Sequence, residues 1–442
     1  MKALKTSDTI GLGFMILAFF LGAGNWIFPP MAGYQAGEQV FPATFGFLIT
    51  AVGLPLLGII ALAYARGGLS ALGRYLPSGV SMLLALAIYL IMVPGFGIPR
   101  TALVSFELAV KPFSENPNSA VLLAVFSAVY FAAVFAIARN PGRLLDTVGK
   151  FIAPLMLLLV LVLGVDVLLS PLGEIVQGEG KFAESPVING FLEGYMTMDL
   201  LAAMLFGVLL INALKSKGVS DRDEQFKALF IGGIIAAVGL ALVYFILFYM
   251  GAISGSVAEG AANGGEIFAR YMAASMGAPG QWILALVITL ACLTTGVGGT
   301  CAFAEYLEER FEKVAYQPAL AVIVVVCWAM ANIGLDDLIQ LYIPVLVAIY
   351  PIAISVVILN VLADKLPSPT LSFRLVVAVA AIFGLFDALS VAGVLASIPG
   401  HGLLSSIPLF DQGMGWLIPS VLALIVSALV SRSNTEQQTP SI

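Results

Sequence analysis

The chain is poor in the residues on which soluble enzymes and disulfide-bonded proteins depend. Only 10% of its 442 residues are charged, and it has one histidine and three cysteines. Cys292, Cys301 and Cys327 are odd in number, lie in apolar segments and have no CxxC spacing, so they imply neither a disulfide framework nor a zinc site. The one histidine, His401, falls in a loop, and no nucleophile–base set appears within the apolar segments, which argues against an enzyme. The 20 basic residues, set against 26 acidic ones, gather into no patch or tail, so nucleic acid is set aside as a partner.

What is abundant is apolar. Hydrophobic residues make up 60% of the chain and the mean hydropathy is +1.03, whereas soluble domains are about half apolar and a quarter charged. The class that follows is an all-α polytopic membrane protein, since lipid cannot satisfy backbone polar groups and spanning helices must do so internally.

Apolar runs of about 20 residues occur at twelve places: 9–34, 41–65, 80–110, 120–138, 148–169, 191–214, 226–253, 281–306, 318–333, 338–362, 373–392 and 416–430. If both termini lie on the cytoplasmic side, sixteen of the 20 Lys and Arg residues face that side. Lys111, Lys181 and Arg270 then lie outside and Arg100 lies within a span. Adding or removing one helix would scramble this segregation. The first run follows two lysines as a signal peptide would, but it has no small-x-small close and continues into apolar helix, so a retained span is expected.

Outside the spans, the loop 171–190 is acidic. Segment 264–276 places Ile267, Tyr271 and Ala274 at helical spacing and predicts a cap helix along the outer face. The polar tail 431–442 is expected to be disordered.

Three spans are interrupted. Gly22-Ala23-Gly24-Asn25 lies midway through the first, with Pro29-Pro30 just beyond. A glycine pair alone would read as a packing notch, but the asparagine amide and the double proline favour a discontinuous helix. One half, ending near Leu21, would offer carbonyls to a cation; the other, beginning near Trp26, would offer N–H groups to an anion. The sixth span holds Thr197 and Asp199 in GYMTMDLLAAMLFG. Two readings stand for Asp199: a functional carboxylate inside the membrane, or a cap near the outer surface on a helix that starts later. The eighth span sets Thr294 and Thr295 against glycines in ACLTTGVGGT. Their hydroxyls suit a hard cation, or bond back to their own helix. Breaks at the first and sixth of twelve spans point to an inverted five-plus-five repeat, 9–170 against 191–362, with 373–430 outside it.

The runs GFMILAFFLGAGNWIFPPMAG, GFLITAVGLPLLGIIALA, IPRTALVSFE, GYMTMDLLAAMLFG and LTTGVGGTCAFAEYL together resemble the bacterial branched-chain amino acid:cation symporter family, the carriers of leucine, isoleucine and valine. The likeness covers all but the tail. It implies the leucine-transporter fold, a bacterial inner-membrane location, sodium as the co-transported ion and no organic cofactor.

By the same resemblance, the Ala23 and Gly24 amides would receive the substrate carboxylate within the Gly22–Asn25 break, the Phe20 carbonyl would accept from the ammonium, and Asn25 would help hold substrate or a nearby ion. Gly97, Ile98 and Thr101 would line the opposite wall, and Tyr195, Met196 and Thr197 would form the unwound part of the sixth span. Sodium would lie among Ala291, Thr294, Thr295 and the carbonyls of Ala18 and Leu21. Arg100 departs from simple lining: a buried guanidinium needs a carboxylate, and Glu107 and Asp199 are the candidates for a structural or gating pair. A proton-coupled carrier or an exchanger, with Asp199 as the proton site, is the alternative.

Overall fold

The sequence forms helices and no other regular element among the described residues, which in this computed structural model are 5–437 apart from 66–67, 118, 142–144, 176, 179 and 396–400. Nine of these helices are long and apolar enough to cross a membrane, and Thr6–Phe20, Tyr316–Ala331 and Leu417–Ser431 are shorter apolar ones. Spans tend to outrun their apolar stretches. The sixth begins at Pro186 rather than 191, the seventh at Arg222 rather than 226, and the eighth runs over Ala278–Arg310. A helix continues past its apolar residues until a cap ends it, as at Asp221, whose carboxylate accepts from the N–H groups of Asp223 and Glu224, each at 3.1 Å. The last helix extends to Gln437, into the tail expected to be disordered.

The chain separates into two compact units, Met1–Ile59 with Tyr89–Leu338, and Ile60–Ile88 with Ile339–Ile442. In the first, the least hydrophobic spans are the most enclosed. The most apolar 18-residue stretches of Pro186–Ser216 and Ala278–Arg310 have mean hydropathies of 2.0 and 1.9 and are 83% and 72% buried, whereas that of Ala120–Ala138, at 2.6, is 22% buried. Lipid accepts any apolar face, so helices bearing hydroxyls, carboxylates and glycines take the centre.

Two pairs of reciprocal glycines set close helix crossings in this unit. A Cβ on Gly33 would meet the Phe248 carbonyl, and one on Gly251 the Pro30 carbonyl. Gly46 and Gly190 are likewise pressed against the Val187 and Ala43 carbonyls. Backbone cannot step aside as a flexible side chain can, so Gly251→Val should cost more than ordinary overpacking, about 1–3 kcal/mol. The expected outcome is a lower melting temperature in detergent. An unchanged melting temperature would mean that the two backbones do not press on each other at Gly251.

The helix predicted over 264–276 forms as Gly264–Met276. Ile267 and Tyr271 are buried together with Phe268 and Met272, while Ala274 is exposed. Phe268 stacks on Trp26 at 6.2 Å, and Gly264 abuts the Ile27 carbonyl.

In the second unit, Ser372 and Ser427 join the helices Pro369–Val391 and Leu417–Gln437 by a 2.8 Å hydroxyl bond. The amide of Asn360 donates to the Leu72 carbonyl at 2.8 Å.

Candidate functional site

The first break is a helix end followed almost at once by a helix start. Thr6–Phe20 stops at Leu21, whose ψ of 66° leaves the helical range, and the Gly22 N–H turns back to the Phe20 carbonyl at 2.6 Å. Gly24–Ala36 restarts two residues earlier than the expected Trp26, and Pro29 and Pro30 lie inside it instead of opening it. The last carbonyls of the first piece have no helical donor ahead of them. The threonines of Ala278–Arg310 meet them from the side.

The Thr294 hydroxyl lies 2.9 Å from the Ala18 carbonyl oxygen and 2.8 Å from that of Ala291. The Thr295 hydroxyl lies 3.0 Å from the Phe19 carbonyl oxygen and 3.4 Å from that of Ala18. Five oxygens thus converge beside the break. Beside Ala18, the first-helix carbonyl in contact with Thr295 is that of Phe19, where the expectation named Leu21.

The second break falls at Met198, one residue beyond the predicted Tyr195–Thr197, which form the last turn of Pro186–Thr197. Met198 has φ 65° and ψ 18°, a left-handed backbone that a non-glycine residue adopts at a cost of roughly 1–2 kcal/mol. Asp199 opens the next helix. It caps no outer surface, being 1% exposed.

Its carboxylate joins three spans. Asn25 Nδ2 lies 3.0 and 3.1 Å from the two Asp199 oxygens and also donates to the Tyr244 hydroxyl, which in turn donates to Asp199 Oδ2. All three side chains are almost fully buried. Asn25 therefore braces the break rather than facing the cavity beside it.

Arg100, 2% exposed, holds the third span to the second break. Its Nη1 donates to the Met196 carbonyl at 3.1 Å, and its guanidinium lies 5.6 Å from the centre of the Phe28 ring. A Cβ on Gly24 would come within 2.6 Å of Nη2, so only glycine lets the guanidinium rest on the restarted helix. Glu107 does not bring its carboxylate here: it pairs with Lys111 one turn on, at 2.6 Å. That i,i+4 partner was within reach along the helix, whereas Arg100 is seven residues away on the side of the breaks.

A cavity of about 20 Å³ lies between the two breaks. Of the predicted residues, Phe20, Gly22, Ala23, Gly97, Ile98, Thr101, Thr197 and Thr295 line it, together with Arg100 and Asp199. Gly24, Asn25, Tyr195 and Met196 stand behind the wall, as do Ala18, Leu21, Ala291 and Thr294.

Residues not anticipated complete the wall. Ala202, Leu205 and Phe206 follow Asp199 at helical spacing, a signal present in the sequence once Asp199 is placed inside. Gly299 lies one turn beyond Thr295 and presses on Ile98. Met92 and Val93 reach the wall because the third span widens to a π-turn over Ile91–Gly95, around Pro94. Phe206 packs on Phe19 at 5.0 Å. The enclosure is apolar apart from hydroxyls, one guanidinium and one carboxylate.

A family model described as branched-chain amino acid transport protein matches residues 5–434. The system 2 branched-chain amino acid carrier of Pseudomonas aeruginosa is 42% identical over 432 residues, covering 98% of each chain. The system 3 carrier of the same organism is 44% identical over the same length and share. The branched-chain amino acid permease BrnQ of Escherichia coli is 39% identical over 438 residues, 99% of each chain. Among solved structures, the nucleobase–cation symport family transporter Mhp1, closed with bromovinylhydantoin bound, superposes with a TM-score of 0.56 over 99% of this chain and 97% of its own, at 13% identity. That likeness is one of fold.

Proposed function

The chain belongs to the family of branched-chain amino acid transport proteins, and from that membership we propose that it carries leucine, isoleucine and valine across the bacterial inner membrane together with sodium, by alternating access. The family is one of carriers, not enzymes. In this reading both termini are cytoplasmic, and the breaks fall at equivalent points of two inverted five-helix repeats, 9–170 and 191–362, within twelve spans.

The observation that carries the proposal is the pair of facing breaks. The end at Phe20 turns carbonyls toward Thr294 and Thr295, and the next helix restarts at Gly24, with Ala23 before it on the cavity wall. A cation and a carboxylate therefore have separate, adjacent places. The cation's ligands are neutral oxygens, which suit a monovalent ion better than one that needs several carboxylates. The substrate carboxylate lies at the Ala23 and Gly24 amides, and its ammonium at the Phe20 carbonyl. Arg100 and Asp199 give the wall one charge of each sign, in balance with a zwitterion.

Phe20, Ile98, Leu205 and Phe206 supply an apolar surface for the side chain. The present cavity has room for about one water molecule, so an amino acid enters a state in which these side chains have drawn back. One methylene in such a pocket is worth about 1–3 kcal/mol. Leucine, isoleucine and valine should therefore compete with one another within about a hundredfold, and lysine or glutamate should not compete.

Coupling in this scheme is mutual: the ion braces the break, and ion and substrate each raise the other's affinity by the same factor. The buried Asp199 supports a second reading, a proton-coupled carrier or an exchanger. Leucine uptake into proteoliposomes under an imposed sodium gradient, against an imposed pH gradient, separates the two. Accumulation driven by sodium alone is the expected result. Accumulation driven by pH alone would move the coupling role to Asp199.

A further inference from the structure

We propose that Glu305 and Asn212 form a second cation station, on the side of Phe19 nearer the N-terminus, where the monovalent cation rests after leaving Thr294 and Thr295. The inference builds on the sodium reading above and adds a site that the reading does not contain.

A second cavity, of about 40 Å³, lies on the other side of Phe19 from the first. Phe19 lines both. Its carbonyl is one of the oxygens facing Thr295, and its ring, packed on Phe206, divides the two spaces. A cation released from the threonines toward the N-terminal side has one phenyl ring to pass before it enters the second cavity.

The ionisable side chain lining that cavity is Glu305. It lies on the same helix as Thr295, ten residues on, or about 15 Å along the axis. Asn212, from the helix after the second break, donates its Nδ2 to Glu305 Oε2 at 2.8 Å. The bond holds the carboxylate at the wall of the cavity, which Asn212 also lines. The remainder of the lining is apolar, including Met15 and Leu209. A carboxylate with an amide oxygen and water is a usual ligand set for a hard monovalent ion. Glu308 and Glu309, exposed on the next turn, extend the negative potential toward the mouth.

The station differs from the threonine site in its charge. Neutral oxygens hold the ion while substrate is bound. A carboxylate one ring away stabilises it once the site above has let go, which lowers the barrier to release.

Glu305→Gln tests this, because the glutamine carbonyl still accepts from Asn212 and only the charge is removed. Sodium-driven net leucine uptake should fall about tenfold, equal to one decade of barrier. Leucine–leucine exchange at equal sodium on both sides should stay at the wild-type rate, since exchange proceeds without ion release. Glu305→Asp should restore most of the net uptake.

Equal losses in both modes, or no loss in either, would overturn the station. If the glutamine variant does not reach the membrane, radioactive sodium binding to the purified Thr294→Ala, Thr295→Ala protein decides. A weak saturable site should remain, and Asn212→Ala should remove it; no residual site overturns the proposal. A wild-type protein indifferent to sodium would instead sink the reading on which the station rests.

Discussion

Replacing Thr294 and Thr295 together by alanine should abolish sodium-stimulated leucine uptake while leaving the helix intact. The two hydroxyls lie within 3.4 Å of the carbonyl oxygens of Ala18 and Phe19, and they are the side-chain part of the oxygen cluster at the first break. A bond between a neutral group and a charge is worth about 1.5–3 kcal/mol, so the pair contributes about 3–6 kcal/mol of cation binding. At 1.4 kcal/mol per decade, the sodium activation midpoint should rise more than a hundredfold.

Alanine is a good helix former, so the change does not break Ala278–Arg310. Thr294→Ser with Thr295→Ser is the control, since both hydroxyls remain and sodium dependence should persist. Sodium activation curves in proteoliposomes measure both. A double-alanine protein with the wild-type midpoint would remove these residues from the ion site.

Asp199→Asn should be the most damaging single change at the second break. The Asp199 carboxylate accepts from both Asn25 and Tyr244. An amide in its place turns an NH₂ toward one of these donors and leaves the buried Arg100 without its nearby negative charge. Leaving a buried donor unsatisfied costs about 1–3 kcal/mol, more beside a charged group, enough to stop transport even where protein still accumulates in the membrane. Tyr244→Phe removes one donor, at about 1–3 kcal/mol, and should slow uptake without abolishing it.

Since the two share one network, their effects should not add. A double-mutant cycle should show a coupling of about 0.5–3 kcal/mol. Additive losses, or an Asp199→Asn carrier with unaltered kinetics, would mean that the three side chains do not act as a unit.

Both predictions concern residues that the sequence marks and pairings that it does not. Glycine, asparagine and proline at 22–30 announce a break, because those residues are expensive in a spanning helix. Thr294-Thr295 beside glycines announces oxygen ligands in the same way, and Asp199 announces itself by its charge. The partners are another matter. Asn25 meets Asp199 across 174 positions and Tyr244 across 219, and nothing local to any of the three predicts the meeting. Met198 carries no composition signal for its left-handed backbone, so the sequence points to Tyr195–Thr197 and the break falls one residue later. The Glu305–Asn212 contact, at a separation of 93, left no trace in either segment.

The amino-acid sequence by itself determined that this chain lives in lipid, that it is helical, which spans are interrupted and which family it belongs to. Those properties depend on composition, on runs long enough to cross a bilayer and on residues too costly to be there by accident. Only the tertiary structure decided that Phe19, not Leu21, faces Thr295; that Asn25 turns to Asp199 rather than into the cavity; and that Glu107 turns to Lys111 rather than to Arg100. In an apolar medium a buried polar group must find a partner. Which partner it finds depends on how the helices cross, and the crossings follow from close contacts such as Gly33 and Gly251 that bring distant segments within reach.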